Sequence, residues 1–349
     1  MDVGGGLVNM GLTCYGNTIM QNMRHIPKLN WILEEGKYST LFRADASPDS
    51  ERYKVQRVTQ AFAKVSQFLW KCKRGQSVKP GEFWSHLIPA VHDTQYEQLA
   101  HKTFHDAHEF CQFLIESIHK SMIQDVDMRI TYEPASSPKD VLIQSALTEW
   151  KKHFADEYSP LVHLFYGLLH YKTVCQGCKN MSHRWEPFNS LKVPIHREGG
   201  TVDLLESLRK DLLQEEVIEE YECEKCGPPR KQAKRSVSIW KLPLALILCA
   251  KRFDNQSKKI STAAEPVPLT PIDFTPFFSE ESPERQGMVH YTLRGIVDHH
   301  GSGLQGGHYT AQCRHVQNDR WFIYDDEHVT PVEKPLFGST TYMLFLERN

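Results

Sequence analysis

The chain has 349 residues, 40% of them hydrophobic, which is enough apolar material for one large domain or two to three lobes. Charged residues make up 24% and the formal net charge is -2, so no bulk electrostatic pull toward nucleic acid or an anionic membrane is expected. Met1 to Gly6 carries no basic segment followed by an apolar one, and no apolar run reaches the ~20 residues of a membrane span. These features predict a soluble, intracellular protein of cytoplasm or nucleus.

From Leu7 to Met23 the chain changes from turn to helix around a single cysteine. Tyr15, Ile19, Met23 and Ile26 recur at four, four and three residues, the stripe of an amphipathic helix that Pro27 is expected to stop. Asn9, Gly11 and Thr13 are turn and cap residues, which puts Cys14 at the helix start. A helix N-terminus favours thiolate over thiol, and the thiolate is the nucleophile. A small cysteine packed under a helix is the competing reading.

Arg43 to Arg52 reads as an exposed loop. Val55, Val58, Phe62, Val65 and Leu69 then mark a second amphipathic helix. Pro80 and Gly81 open a shorter one, with Phe83, Trp84, Leu87 and Ile88 expected to be buried. The next begins near Thr103, with Ala107, Phe110, Cys111, Leu114 and Ile118 as its inner stripe. Thr103 and Asp106 fit a loose capping box, so the residues alone give Asp106 a local capping role. Glu133 to Lys139 reads as a loop and Val141 to Phe154 as a helix.

Around Leu161 the pattern turns to strand, with Leu164, Tyr166 and Leu168 alternating, then Leu191, Val193 and Ile195. Thr201 to Leu213 reads as one helix, and Val237 to Trp240 and Leu244 to Ala250 as strands, the last apolar enough to be buried on both faces. Tyr291 to Asp298, His308 to Arg314, Trp321 to Tyr324 and Thr341 to Leu346 complete a β-rich final third. A cleft between the helical and β parts is the expected place for chemistry.

Four of the nine cysteines form two knuckles, Cys175/Cys178 and Cys223/Cys226, each able to offer two thiolates to one tetrahedral zinc. Four thiolates fill the coordination sphere, so the zinc is expected to be structural. The pairs should cap separate strand pairs that meet in space. The basic run Arg230, Lys231, Lys234 and Arg235 reads as a solvated loop.

Gly301 to Thr310 places His308 between a glycine-rich loop and a strand, where glycines permit close approach of backbone or of an extended peptide. A hairpin joining the strands around His308 and Trp321 would set Asp325 beside the imidazole and orient it. Cysteine, histidine and carboxylate together suit a nucleophilic thiol mechanism. A surface histidine and an acidic turn are the plain alternative.

These residues resemble the ubiquitin-specific proteases, a family of papain-like cysteine proteases, over nearly the whole chain. Leu7, Asn9, Gly11, Thr13, Cys14, Tyr15, Asn17 and Gln21 resemble the family's cysteine box. Tyr291 to Tyr309 with Trp321, Tyr324, Asp325, Asp326 and Val329 resemble its histidine box; Asp106, Ala107, Glu109 and Phe110 its acidic helix motif. The knuckles fall where the family carries zinc-bound fingers, and Lys251-Arg252-Phe253 after a buried strand is similar too.

The resemblance implies an α+β papain-like fold forming a single catalytic domain, with a thumb at about 1–160, fingers and the start of the palm at about 161–250, and the remaining palm at about 251–349. It implies a deubiquitinase that acts on ubiquitin and ubiquitinated proteins, with room for regulatory subunits, one structural zinc and no organic cofactor. Cys14 would be the nucleophile, His308 the base and then acid, Asp325 the orienting carboxylate and Asn9 an oxyanion donor, with Asp326 in support. Asp106, Glu109, Gly306, Gly307 and Tyr309 would contact the ubiquitin tail. Leu12, Gly16, Phe104, His105 and Cys249 depart from the family's usual residues. A silent ubiquitin-binding scaffold and a protease for another ubiquitin-like modifier remain the alternatives.

Overall fold

A computed structural model describes all residues except 1–3, 35, 36, 43–45, 74, 131–134, 196–199, 255 and 305. Met1 to Val3, Arg43, Glu133, Pro134 and Gln305, parts of segments read above from sequence, therefore lie outside the described residues.

The helices are α1 (Cys14–Arg24), α2 (Pro27–Ile32), α3 (Glu51–Lys71), α4 (Gly81–Val91), α5 (Ala107–Ser121), α6 (Pro138–Phe154), α7 (Pro160–Phe165) and α8 (Leu204–Leu213). Local chemistry starts several of them. Ser50 caps α3 by accepting from the Tyr53 N–H, and Asp106 caps α5 by accepting from the N–H groups of His108 and Glu109. The expected stripes of α3 and α5 are buried. Pro27 does not end α1, which stops at Arg24; it opens α2, where its missing N–H leaves no bond unmade. All eleven residues of α1 are buried, because the helix is wedged between α3 and α5 on one side and the sheet on the other.

An eight-stranded sheet runs β15-β14-β13-β12-β16-β9-β5, with β11 added on β12. Its members are β5 (Leu191–Val193), β9 (Ala245–Ala250), β11 (Ile272–Asp273), β12 (His290–Gly303), β13 (Gly306–Arg314), β14 (Trp321–Asp325), β15 (His328–Val332) and β16 (Thr341–Arg348). A four-stranded sheet, β4-β3-β8-β7, comprises β3 (Gly167–Cys175), β4 (Met181–Phe188), β7 (Glu216–Tyr221) and β8 (Lys231–Lys241). Two short parallel pairs remain: β1 (Gly6–Leu7) with β2 (Ser77–Val78), and β6 (Thr201–Val202) with β10 (Ala263–Ala264).

β9 shows how the two-period of a strand divides the core. Ala245, Ile247 and Cys249 face the helices in one cluster, while Leu246, Leu248 and Ala250 face α8 and the loops around Phe274 in a second. Arg252 follows, fully buried, donating to the carbonyls of Thr341, Ile260, Thr262 and Gly338. One side chain thus ties the loop after β9 to the start of β16 and the turn before it.

Several expectations need correction. Ile88 is 53% exposed, because α4 buries Phe83 and Leu87 and turns the adjoining face outward. Leu164 lies in α7, capped by Ser159 with Pro160 in its first turn, so strand structure starts only at Gly167. Thr201 and Val202 are strand, and α8 begins after its cap Asp203. The basic run expected as a loop is mostly β8, its charges answered by β7 through Arg235–Glu216 and Arg230–Glu220 and by Glu215, just before β7, through Lys234–Glu215. Among the described residues no helix is long and apolar enough to cross a membrane.

Candidate active site

Cys14 is the first residue of α1 and is 4% exposed. The preceding turn winds around Asn9, whose Oδ1 accepts from the N–H groups of Gly11 (3.0 Å) and Thr13 (3.1 Å). Thr13 caps α1 in position but not by its side chain, which accepts from the Met10 N–H instead. Gly11 and Leu12 both have positive φ, +99° and +57°.

His308 stands near the start of β13 and Asp325 at the end of β14, adjacent antiparallel strands. His308 Nε2 lies 2.6 Å from Asp325 Oδ1, which leaves Nδ1 for the thiol side. The hydrogen bond with Cys14 is the largest influence holding the His308 pKa up at about 9; Asp325 adds to it, and burial opposes both. The imidazole therefore carries its proton at neutral pH, between thiol and carboxylate.

Asp326 sits in the turn between β14 and β15 at φ +49°. Its backbone carbonyl accepts from Leu7 N–H at 2.8 Å, and a Cβ on Gly6 would fall 2.3 Å from the Glu327 oxygen, so only glycine lets the strand approach. Its carboxylate accepts from Asn9 Nδ2 (2.8 Å) and from Asn17 Nδ2 (2.7 Å).

On the far side of Cys14, Asp106 spends Oδ1 on capping α5 and accepts from the Tyr342 hydroxyl at Oδ2 (2.7 Å). The capping role read from sequence is present, although Asp106 itself is the cap and Thr103 takes no part. Burial raises the Glu109 pKa, and Gln98 donates to its carboxylate. Gly307, at φ +141°, would place a Cβ 2.3 Å from the His300 carbonyl; Gly306 has open space around it. Tyr309 is buried against His299 and Tyr342.

A family model described as ubiquitin carboxyl-terminal hydrolase matches residues 5–346. The chain belongs to the ubiquitin carboxyl-terminal hydrolase family. Human ubiquitin carboxyl-terminal hydrolase 2 is 29% identical over 356 residues, which cover 98% of this chain and 54% of the relative. Saccharomyces cerevisiae ubiquitin carboxyl-terminal hydrolase 5 is 26% identical over 371 residues, 98% of this chain and 44% of that one. The chain thus spans about half the length of these curated relatives. A yeast SAGA DUB module structure carrying a mutant Sgf73 superposes with TM-score 0.70 at 25% identity, covering 99% of this chain and 68% of that one. The SAGA Ubp8/Sgf11/Sus1/Sgf73 DUB module bound to ubiquitin aldehyde gives 0.71 at 25% identity, covering 99% and 69%. The α+β papain-like architecture of this hydrolase family, helical thumb against β palm with β fingers, is the fold described above.

At the tip of the four-stranded sheet of this hydrolase-family chain, one knuckle joins β3 to β4 and the other joins β7 to β8. Both close alike: Lys179 N–H donates to Cys175 O and Gly227 N–H to Cys223 O, each 2.9 Å, with φ +59° and +61° at the donors. The four Sγ atoms lie within 4.8 Å of one another, with Cys175 3.8 Å from Cys226 and Cys178 3.6 Å from Cys223. A tetrahedral ion with ~2.3 Å bonds to sulfur needs edges of roughly 3.8 Å. Within the cluster the Cys178 backbone N–H is the main influence lowering the Cys175 pKa, to about 7, while the hydrogen bond with the Cys178 side chain is the main influence raising that of Cys226, to about 12. The donor set fits zinc and leaves no position for water.

From sequence Asn17 enters only as a member of the cysteine box, without a role, and Tyr342 does not enter at all. For Asn17 a signal existed: a polar residue one turn after Cys14 in a helix that would be buried. Tyr342 carried none, since an aromatic in a final strand reads as core.

Proposed function

We propose that this chain is a thiol-dependent deubiquitinase that hydrolyses the isopeptide or peptide bond after the C-terminal glycine of ubiquitin. The observation that carries this reading is His308 held between Cys14 and Asp325. The Cys14 thiolate attacks the glycine carbonyl, and the Cys14 N–H and the Asn9 amide bind the oxyanion, a donor of that kind contributing ~3 kcal/mol to the barrier. His308 gives its proton to the leaving amine, forming a thioester, and then takes a proton from the water that hydrolyses it. Asp325 keeps the imidazole oriented.

Asp106 and Glu109 at the start of α5 offer carboxylates to an arginine of the tail, and Gly306, Gly307 and Tyr309 form the opposing wall. One structural zinc on Cys175, Cys178, Cys223 and Cys226 crosslinks the two finger turns; no step of hydrolysis passes through it. The catalytic domain takes up the whole chain, with the thumb, fingers and palm divided as the resemblance implies. Regulatory subunits, present in the SAGA module neighbours, and a cytoplasmic or nuclear location belong to the same reading.

The test is hydrolysis of ubiquitin carrying a C-terminal fluorogenic amide. Turnover by the protein and its abolition in Cys14→Ala are expected. No turnover of this substrate or of any diubiquitin would remove the proposal.

A further inference from the structure

The Asp326 carboxylate has two oxygens, and each is taken by a different amide from the nucleophile's side of the cleft. Oδ2 accepts from Asn9 in the turn before Cys14, and Oδ1 from Asn17, one helical turn after it. We propose that Asn17 is a positioning residue for the oxyanion donor Asn9, acting through the Asp326 carboxylate; this rests on the deubiquitinase reading above.

Three observations support the relay. Asn9 is gripped at both ends, its Oδ1 by the Gly11 and Thr13 N–H groups and one Nδ2 proton by Asp326, so the remaining proton has a fixed direction. Asp326 is gripped at its backbone by Leu7 and sits in the left-handed region, so its carboxylate needs a second holder to keep one rotamer. Asn17 supplies it from a rigid helix, 2% exposed, with Nδ2 also within 3.4 Å of the Leu7 carbonyl. Its own Oδ1 is buried with no partner among the described residues, a stability penalty that a packing residue at the same place would avoid. The two acceptors facing Nδ2 fix which end of the amide points at Asp326.

The experiment compares amide hydrolysis with addition of Cys14 to ubiquitin bearing a C-terminal alkyne, a reaction that forms no oxyanion. In Asn17→Ala, kcat for the amide should fall about tenfold or more with little change in KM, while the alkyne reacts at the wild-type rate. Asn9→Ala should lose about 10²-fold in kcat. The double variant Asn9→Ala/Asn17→Ala should be no slower than Asn9→Ala alone, because one acts through the other. Asp326→Ala, which reaches the relay from its half-exposed side and changes no residue of α1, should repeat the kcat loss if removing the buried amide unfolds the protein. Multiplicative losses in the double variant, equal losses in both reactions, or an unchanged kcat would overturn the relay. A wild-type protein inert to both reagents would instead remove the deubiquitinase reading itself.

Discussion

Gly16 lies directly under the indole of Trp84: a Cβ built on it would stand 2.7 Å from Cη2 and 2.8 Å from Cζ2, with Phe110 at 3.3 Å. The glycine is two residues beyond Cys14, where the resemblance leads one to expect a larger side chain. It reads as a weakness in the helix, but Trp84 fills the space, and the pair presses α4 against the helix that begins at Cys14.

Replacing this glycine should therefore fail to stabilise the helix. Gly16→Ala gains ~1 kcal/mol of helix propensity but overpacks a closed contact at a cost of about 1–3 kcal/mol. The expected net result is a lower Tm and slower Cys14 labelling, both restored by adding Trp84→Leu. Thermal melts and labelling rates of the single and double variants check this.

Leu12 holds the opposite kind of strain. It is 39% exposed and adopts φ +57°, a region that disfavours an L side chain by roughly 1–2 kcal/mol and that asparagine tolerates better. Leu12→Asn should stabilise the protein by about 1 kcal/mol, a rise of ~2 °C in Tm for a chain of this size, with Cys14 reactivity retained. Differential scanning calorimetry reads the shift.

The histidine sets an alkaline limit. With its pKa raised from 6.5 to about 9, chiefly by the hydrogen bond with Cys14, His308 would remain an acid for the leaving amine of the proposed reaction through neutral pH. Its contribution to stability is fully present below about 6.5 and is lost as pH rises through about 9. kcat/KM should fall over the same alkaline range. Removing the Cys14 side chain in Cys14→Ala should bring the imidazole titration down, and Asp325→Asn should lower it by less. An NMR titration of the ring signals gives both values; a wild-type value near 6.5 would contradict this account.

At the finger tip, native protein should contain one zinc per chain by elemental analysis, with the four knuckle thiols protected from titration. Cys178→Ser or Cys223→Ser should release the metal and lower Tm while Cys14 still reacts with small thiol reagents, since the cluster crosslinks turns and lies outside the chemistry. Zinc-free native protein with four freely titratable thiols would contradict the assignment.

What the sequence made legible follows from how strongly each feature is locally encoded. The stripes of α3 and α5 and the all-apolar run of β9 were readable because burial alone dictates them. The matched CxxC pairs were readable because their chemistry is tied to spacing. β7 was not: Glu216 and Glu219 pair with Arg235 and Gln232 of β8, and Glu220 with Arg230 just before it, so its pattern is set by a partner strand and not by a core face. β15 was missed for a similar reason, being short, largely exposed and interrupted by Pro331. α7 reads as strand because six residues carry too little period, although Ser159-Pro160 is a readable helix start. At the site, a hairpin could be guessed to bring Asp325 to His308. The hold on Asp326 by Asn9, Asn17 and Leu7, by contrast, depends on three segments meeting in space.

The central claim is that Cys14, set beside His308, is the nucleophile that takes the C-terminus of ubiquitin. Mass spectrometry of the intact protein after exposure to ubiquitin with a thiol-reactive C-terminus tests it most directly. One ubiquitin adduct per chain is expected, located on Cys14, absent in Cys14→Ala and much slower in His308→Ala. An unlabelled wild-type protein, or an adduct that persists in Cys14→Ala, would contradict it.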